Sequence, residues 1–337
     1  MKLLILGGTK FVGRHLVQSA LKQGIEVTLF NRGQTNPDLF PEVEHLKGDR
    51  DGDMSALAGR TWDVVVDTCG YVPRIVKYGA SQLVGKTGRY IFISTISVYD
   101  DFNLLNADES HCVKVLDDPT TEQAGGHAYG GLKVLCEQEV LKAFGDKAMI
   151  VRPGLIVGPH DPTDRFTYWP VSVGEGGDVI APGYKDSPVQ FIDVRDLCDW
   201  LVVSMAKSVV GVFNAIGPQA SLTMLEFLNC CQDTLNSKAE LHWLSEDFLL
   251  SNDVEAWSEM PLWLPRRKTD NIGFMQCSSQ RAIDAGLQFR PLSETINDTW
   301  QWHLTRSADH EWQAGLSQTR AQALLELWQK FARLQLV

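Results

Sequence analysis

Short apolar runs alternate with amphipathic segments through the first 150 residues of the chain. In segment 11–23 the apolar residues recur at the spacing of an α-helix, and a second helical pattern covers about 129–144. Strands that alternate with helices in this way join through right-handed crossovers. The pattern therefore predicts an α/β fold with a doubly wound parallel sheet. The apolar runs predicted as strands are residues 2–6, 26–30, 43–46, 63–67, 89–94 and 149–152.

The regular alternation ends near residue 155. The following segment, 157–188, holds five Pro and five Gly, which is typical of irregular structure. Apolar positions near the C-terminus return to a helical period and predict an amphipathic helix packed on its own domain. We expect a sheet domain over 1–155 and about 190–215, a smaller substrate-facing region over about 156–189 and 216–300, and a C-terminal helical segment over 301–337.

The charge balance argues against a nucleic-acid partner. The chain has 31 Lys and Arg against 42 Asp and Glu, a formal net charge of −11. A protein that depends on phosphate contacts usually carries a basic face. The basic run at 266–268 is too short to supply one. We therefore expect a small-molecule substrate and no nucleic acid.

The cysteines and histidines suggest neither a disulfide framework nor a metal site. The seven Cys include no Cys-x-x-Cys spacing, and the eight His show no ligand-like spacing. Reduced thiols are typical of a cytoplasmic protein, which is the expected location. The apolar run at 2–6 is much shorter than a signal sequence or a membrane span, so no membrane association is expected.

A glycine-rich loop follows the first predicted strand and opens the first predicted helix. In that context the backbone N–H groups and the helix N-terminus are directed at a pyrophosphate. Gly7 permits the tight turn, and Gly13 lets the helix pack closely on the strand. The sequence therefore predicts a dinucleotide site. Its loop residues are Gly7, Thr9, Lys10, Phe11, Val12 and Gly13.

The end of the second predicted strand bears on which dinucleotide is bound. Sites that prefer an unphosphorylated ribose tend to carry an acidic residue there. This strand instead ends in Asn31 and Arg32, and a guanidinium matches a 2′-phosphate. NADP(H) is therefore favoured as the cofactor, with NAD(H) as the alternative.

Tyr129 and Lys133 lie four residues apart, on one face of a predicted helix. Upstream, the strand ending at Ser94 continues into Thr95 and Ser97. Carbonyl reduction requires a proton donor, and a free phenol has a pKa of about 10. We expect the Lys133 ammonium, about 4 Å away, to lower the pKa of Tyr129 toward neutrality. Thr95 would orient the substrate oxygen, with Ser94 or Ser97 as substitutes.

Taken together, these motifs resemble the extended short-chain dehydrogenases/reductases of the NAD-dependent epimerase/dehydratase type. The likeness covers about residues 1–300 and is strongest to reductase-like members, including isoflavone-reductase-like proteins and the chloroplast stem-loop-binding branch. It rests on the glycine loop, Asp49, residues 95–99, Tyr129 with Lys133, the Arg-Pro-Gly at 152–154, and residues 190–196.

This resemblance implies a Rossmann-type sheet and a role for each motif residue. By likeness, Asp49 contacts the adenine and Lys133 holds the nicotinamide ribose. Tyr129 is the general acid/base, and Thr95 occupies the family's Ser/Thr position. Homodimerisation through the Tyr129 helix is also implied. Arg50 and Pro153 complete the candidate cofactor site.

Three departures from the family pattern narrow the chemistry. Lys10 replaces the middle glycine of the loop, where its ammonium is expected to reach a phosphate; the alternative is that it crowds the cofactor. Ile96 and Ser97 replace the Asp-Glu pair of dehydratases, which disfavours dehydration. Leu155 replaces an Asn common in enzymes acting on nucleotide-sugars, which makes such a substrate less expected.

We expect an oxidoreductase that transfers hydride between the nicotinamide and a small carbonyl or alcohol. One alternative is an epimerase with an internal redox cycle. Another is a non-catalytic nucleotide- or RNA-binding protein of the same fold, against which the net charge and the complete Thr95, Tyr129 and Lys133 set both argue. Further candidates for substrate contact, each with a plain structural alternative, are His160, Arg165, Arg195, Trp169, Trp243, Trp257 and Trp263.

Overall fold

The predicted strands and helices occur close to their expected positions. The computed structural model describes residues 1–267 and 273–334, so Lys268 of the basic run lies outside the described residues. The strands are β1 (Lys2–Leu6), β2 (Glu26–Asn31), β3 (Glu44–Lys47), β4 (Trp62–Asp67), β5 (Thr87–Ile93), β6 (Ala148–Pro153), β7 (Ile156–Val157), β8 (Asp178–Pro182), β9 (Ile192–Asp193), β10 (Gly211–Ala215) and β11 (Glu240–Leu244). The α-helices are α1 (Phe11–Lys22), α2 (Pro73–Leu83), α3 (Ala128–Phe144), α4 (Tyr168–Glu175), α5 (Val194–Ala206), α6 (Met224–Leu235), α7 (Glu246–Ser251), α8 (Gln280–Asp284), α9 (Leu292–His303) and α10 (Gln318–Leu334).

Within these described ranges, the main sheet has seven parallel strands in the order β10-β6-β5-β4-β1-β2-β3. From β1 the chain builds outward to β2 and β3 on one side, and then to β4, β5 and β6 on the other. Ligands of such sheets bind outside the carboxyl ends of the strands, where the strand order reverses. The sheet confirms the predicted Rossmann-type α/β class and places that crevice beside β1.

Alternating residues of β1 serve the two faces of the sheet. Leu3 and Ile5 join a core cluster with residues of α1 and α5, whereas Leu4 and Leu6 join a second cluster with residues of α2 and α3. All four side chains are fully buried. A strand buried on both faces needs apolar residues at every position, which explains the unbroken apolar run.

The chain divides into two compact units. The first comprises residues 1–156, 192–219 and 277–289, and the second comprises 157–191, 220–276 and 290–337. Segment 277–289 thus belongs with the sheet, whereas the sequence had placed it in the substrate region. The Ser279 hydroxyl donates to the Ile216 carbonyl and accepts from the Ile216 N–H, both at 2.8 Å. This pairing fixes the segment against the strand end at β10.

The second unit contains a two-stranded parallel sheet of β8 and β11. The buried aromatic rings of the second unit include Phe166, Phe191 and Phe227, with centroids 4.9–5.5 Å apart. Trp169 is fully buried and donates its indole N–H to the Pro261 carbonyl at 3.1 Å. In the part of the chain that the structure covers, no helix combines the length and apolarity needed to span a membrane.

Candidate active site

The candidate site lies at the carboxyl edge of the main sheet, where the loops after β1, β4 and β5 meet. The backbone N–H of Gly7 donates to Phe30, and that of Thr68 donates to Leu6, at 3.0 and 3.2 Å. The N–H of Ser94 donates to Val151 in the same way. Each loop is therefore held by the strand beside it as it leaves the sheet.

The glycine loop is packed so tightly that side chains have no room. Gly7 and Gly8 have φ of +109° and +100°, a region that favours glycine. A Cβ on Gly7 would lie 2.6 Å from the Thr68 hydroxyl oxygen, and one on Gly13 would lie 2.7 Å from the Gly8 nitrogen. Lys10 precedes α1 without a side-chain cap, so the first N–H groups of the helix have no capping side chain. These features fit an anionic dinucleotide at the predicted place.

Asn31 stabilises the loop from the neighbouring strand. Its amide donates to the Gly7 carbonyl at 2.9 Å and accepts from the Gly33 N–H at 2.8 Å. The side chains of Lys10 and Arg32 are exposed, and neither makes an ion pair with any residue that the structure describes. Both cationic side chains are therefore accessible at the edge of the glycine loop. The remaining loop residues Thr9, Phe11 and Val12 are buried or half-buried.

Arg50 is held inside the protein by an ion pair. Its guanidinium donates to both carboxylate oxygens of Asp67 at 2.6 and 2.7 Å, and Asp67 is fully buried. Burial opposes ionisation of Asp67, but Arg50 outweighs it and the pKa of the carboxyl stays below its usual value. Asp49 lies next in the chain, in a turn closed by two backbone bonds to Asp53. The Arg50 side chain thus braces the turn that carries Asp49, and its contact with a cofactor stays a prediction.

Replacing Arg50 with methionine is expected to lower the free energy of unfolding by about 3 kcal/mol, because Asp67 would remain buried without its partner. The measurement is urea unfolding followed by circular dichroism. Arg60→Met is the matched control, since Arg60 pairs with Glu44 at the surface and should lose less than about 1 kcal/mol. Equal losses in the two variants would contradict this view of the Arg50 pair.

Two glycines bring the start of α3 against the end of β5. A Cβ on Gly130 would lie 2.0 Å from the Ser97 carbonyl oxygen, and one on Gly131 would lie 2.5 Å from Leu116. Tyr129 precedes this pair, and its hydroxyl lies close enough to Thr95 for that side chain to lower the pKa of the phenol. The Thr95 hydroxyl also accepts from the Ser97 N–H at 3.1 Å. The structure therefore brings together the phenol and the hydroxyl that the sequence predicted as partners.

Lys133 is buried one helical turn after Tyr129. Its ammonium donates to the carbonyls of Gly70 and Ile93, both at 2.7 Å, and lies 4.1 Å from the centroid of the Phe92 ring. Burial lowers the pKa of Lys133 to about 8. Among the described residues, the two carbonyls and the Phe92 ring are thus the neighbours of the ammonium.

The expected effect of Lys133 on Tyr129 is wrong. Burial raises the pKa of the Tyr129 phenol, and the neighbouring Thr95 side chain only partly offsets this. The Lys133 ammonium is directed at the carbonyls of Ile93, at the end of β5, and of Gly70, in the loop after β4. It is not among the groups that shift the pKa of Tyr129. The phenol is therefore protonated at neutral pH.

A family model described as the NAD dependent epimerase/dehydratase family matches residues 42–215, about half of the chain. The chain belongs to this family. The matched region contains Thr95, Tyr129 and Lys133. It begins after the glycine loop, so the support for a dinucleotide at that loop comes from the loop geometry described above.

Curated relatives and solved structures agree with the family. The chain is 29% identical over 236 residues to the chloroplast stem-loop binding protein of 41 kDa b of Arabidopsis thaliana. The matched region covers 64% of this chain and 58% of that protein. It is 26% identical over 226 residues to a putative dihydroflavonol 4-reductase of Synechocystis sp. (strain ATCC 27184 / PCC 6803 / Kazusa), covering 57% and 60%. The chain thus spans about three fifths of the length of these relatives. UDP-glucuronic acid 4-epimerase from Bacillus cereus, solved with NAD, superposes with a TM-score of 0.62 at 18% identity, over 91% of this chain and all of that one. At that identity the likeness shows the fold.

One residue near the site, Tyr71 in the loop after β4, was not among the site residues predicted from the sequence. Its ring centroid lies 5.3 Å from the Lys133 ammonium, and 48% of the residue is exposed. Desolvation raises the pKa of Tyr71, and repulsion from Tyr129 adds to the rise, which places the two hydroxyls near each other. No periodicity or motif marks a loop residue of this kind, so only the fold reveals it.

Several predicted substrate contacts have other roles in this family member. Ser94 is not a substitute for Thr95, because its hydroxyl donates to Glu137 at 2.5 Å. Arg195 is paired with Asp193 at 2.7 Å. Trp169 and Trp263 are core residues, 0% and 2% exposed.

The other candidates lie in varied surroundings. The His160 ring lies 5.3 Å from that of Trp302, and the Arg165 guanidinium lies 5.9 Å from the Trp257 ring centroid. Trp243 is half-buried in β11. Pro153 is buried at the end of β6, paired with Ala215. None of these contacts by itself assigns a substrate.

Proposed function

We propose that the chain is an NADP(H)-dependent oxidoreductase that interconverts a small carbonyl compound and its alcohol. The observation that carries the proposal is the grouping of the Tyr129 phenol with Thr95 at the end of β5 and with the buried Lys133 one helical turn further along α3. A neutral phenol is the form that can donate a proton to a carbonyl oxygen. The name of one relative, a putative dihydroflavonol 4-reductase, supports this chemistry, whereas that of the solved UDP-glucuronic acid 4-epimerase supports the epimerase alternative.

Each residue has a defined task in this reaction. The bound nicotinamide supplies or accepts the hydride. Thr95 donates a hydrogen bond that orients the substrate oxygen, and Tyr129 gives that oxygen its proton. Lys133 holds a ribose hydroxyl, while the Gly70 and Ile93 carbonyls fix the position of its ammonium. The first turn of α1 and the glycine loop hold the pyrophosphate.

Arg32 supports NADP(H) rather than NAD(H). It lies just after β2 and is exposed, with no carboxylate paired to it among the described residues. A charge-assisted hydrogen bond to a 2′-phosphate is worth about 1.5–3 kcal/mol. Arg32→Ala is therefore expected to weaken NADPH binding by about ten- to a hundredfold and to leave NADH binding unchanged. Titration of both nucleotides by tryptophan fluorescence measures this, and an equal loss for both would contradict the role.

The reaction itself is tested by following NADPH absorbance with a panel of aldehydes and ketones. Consumption of one NADPH per alcohol formed supports the reductase. Isomerised product with no net NADPH change would indicate the epimerase alternative instead. Retention of structured RNA on a filter at about 150 mM salt, without turnover, would indicate the binding-protein alternative. The same preparation, analysed for its mass in solution, tests the proposed homodimer.

A further inference from the structure

A buried ion pair lies directly behind the three proposed catalytic residues. Glu137 and Arg152 are 3% and 6% exposed. The guanidinium of Arg152 donates to both carboxylate oxygens of Glu137, at 3.0 and 2.7 Å. The Ser94 hydroxyl donates to the same carboxylate at 2.5 Å. Glu137 is therefore fully engaged inside the protein.

The sequence positions of these residues link the pair to the site. Glu137 follows Lys133 by four residues and Tyr129 by eight on α3, so the three share one helical face. Ser94 immediately precedes Thr95 at the end of β5. The bond from Ser94 to Glu137 thus joins the strand end that carries Thr95 to the helix that carries Tyr129 and Lys133.

The other end of the pair is anchored in the sheet. Arg152 belongs to β6 and donates to the Tyr99 hydroxyl at 3.3 Å, and that hydroxyl donates to Asn214 of β10 at 2.6 Å. Replacing a buried ion pair by apolar residues is often neutral or stabilising, so stability alone does not account for this arrangement. A fully satisfied polar network does fix the relative positions of the elements it joins.

Glu137 also acts electrostatically on Lys133. Burial lowers the pKa of Lys133; Cys136, Asp67 and, after them, the Glu137 carboxylate partly offset this, whereas Arg50 lowers the pKa further. Removing the negative charge would let the pKa of Lys133 fall further. The ammonium would then be lost at a lower pH.

We propose that Glu137 is a positioning residue for the proposed reaction, tying the end of β5 to α3 through its hydrogen bond from Ser94. The inference rests on the proposed function, because it assigns Glu137 its effect through Thr95, Tyr129 and Lys133.

Ser94→Ala tests the tie while keeping the ion pair. A small misplacement of reacting groups lowers turnover steeply, so kcat is expected to fall about tenfold with KM changed less than about twofold. Ser19→Ala is the matched control, since Ser19 also donates to a carboxylate, that of Asp199 at 2.6 Å, but between α1 and α5. Its kcat should stay at the wild-type value. Equal kcat in Ser94→Ala and wild type would overturn the tie.

Glu137→Gln tests the charge without relying on turnover. The pH at which NADPH affinity declines is expected to move down in this variant and to stay at the wild-type value in Ser94→Ala. If the pH midpoint of NADPH binding does not move in a folded Glu137→Gln protein, the electrostatic effect of Glu137 on Lys133 is overturned. If Glu137→Gln does not fold, the Ser94→Ala and Ser19→Ala comparison decides.

Failure of the proposed function has a different signature. Wild-type protein that binds NADPH but reduces no carbonyl would refute the reductase, and the midpoint measurement would then decide the role of Glu137 alone. Wild-type turnover with unchanged Ser94→Ala kcat would refute only the positioning role.

Discussion

Replacing Tyr129 with phenylalanine is expected to lower kcat for carbonyl reduction by about a thousandfold, because positioned proton donors contribute on the order of 10²–10⁴. The ring would stay in place, and only the hydroxyl near Thr95 would be lost. NADPH affinity should therefore be unchanged. Steady-state kinetics and a fluorescence titration on the same preparation check both parts. A variant with wild-type kcat would exclude Tyr129 as the proton donor.

The pH dependence of the wild-type reaction rates tests the direction in which the pKa of Tyr129 is shifted. Burial raises the pKa of Tyr129 above its ordinary value of about 10, so the phenol keeps its proton throughout the neutral range. Carbonyl reduction should stay constant through neutral pH as far as the donor is concerned. Alcohol oxidation needs the phenolate and should rise with pH over the same interval. An oxidation rate already maximal at neutral pH would contradict the raised pKa.

Replacing Gly130 with alanine is expected to destabilise the protein by about 2 kcal/mol, because overpacking a well-filled site costs on the order of 1–3 kcal/mol. This expected loss of stability is opposite in sign to the effect of helix propensity, which favours alanine over glycine in a helix by about 1 kcal/mol. The new Cβ would lie 2.0 Å from the Ser97 carbonyl oxygen, so α3 must move away from the end of β5. That movement separates Tyr129 from Thr95, and kcat should fall about a hundredfold.

Urea unfolding and steady-state kinetics measure the two effects of Gly130→Ala. Gly125→Ala is the matched control, since a Cβ there would meet no atom within 4 Å. Its stability and kcat should remain at wild-type values. If Gly130→Ala were as stable as Gly125→Ala, the close approach of α3 to Ser97 would not be required.

The sequence predicted six strands of the main sheet, because burial within the sheet leaves a direct trace in apolar runs, but it did not predict β10 as a strand. It located Tyr129 and Lys133 on one helical face for a similar reason, since the spacing of a helix is regular. It did not predict the acceptors of Lys133, because the Ile93 carbonyl lies at the end of β5 and the Gly70 carbonyl lies in the loop after β4. The raised pKa of Tyr129 likewise depends on burial, which no spacing encodes.

The polar partners inside the first unit were the hardest to predict. Ser94 and Glu137 are 43 residues apart, and a serine after a strand is equally typical of an open active-site hydroxyl. Ser279 lies 63 residues from Ile216, whose backbone it satisfies. Such pairings become visible only when the topology brings distant segments together.

The first unit is assembled from three stretches of chain, 1–156, 192–219 and 277–289, and this has a consequence for biosynthesis. Strand β6 is complete at Pro153, but its outer neighbour β10 is made only at residues 211–215. Until then β6, buried along its whole length in the finished protein, is an unprotected edge strand on the growing chain. Synthesis must continue to residue 289 before the unit can close, so a pause between β6 and β10 is the interval in which the nascent chain is most exposed to aggregation.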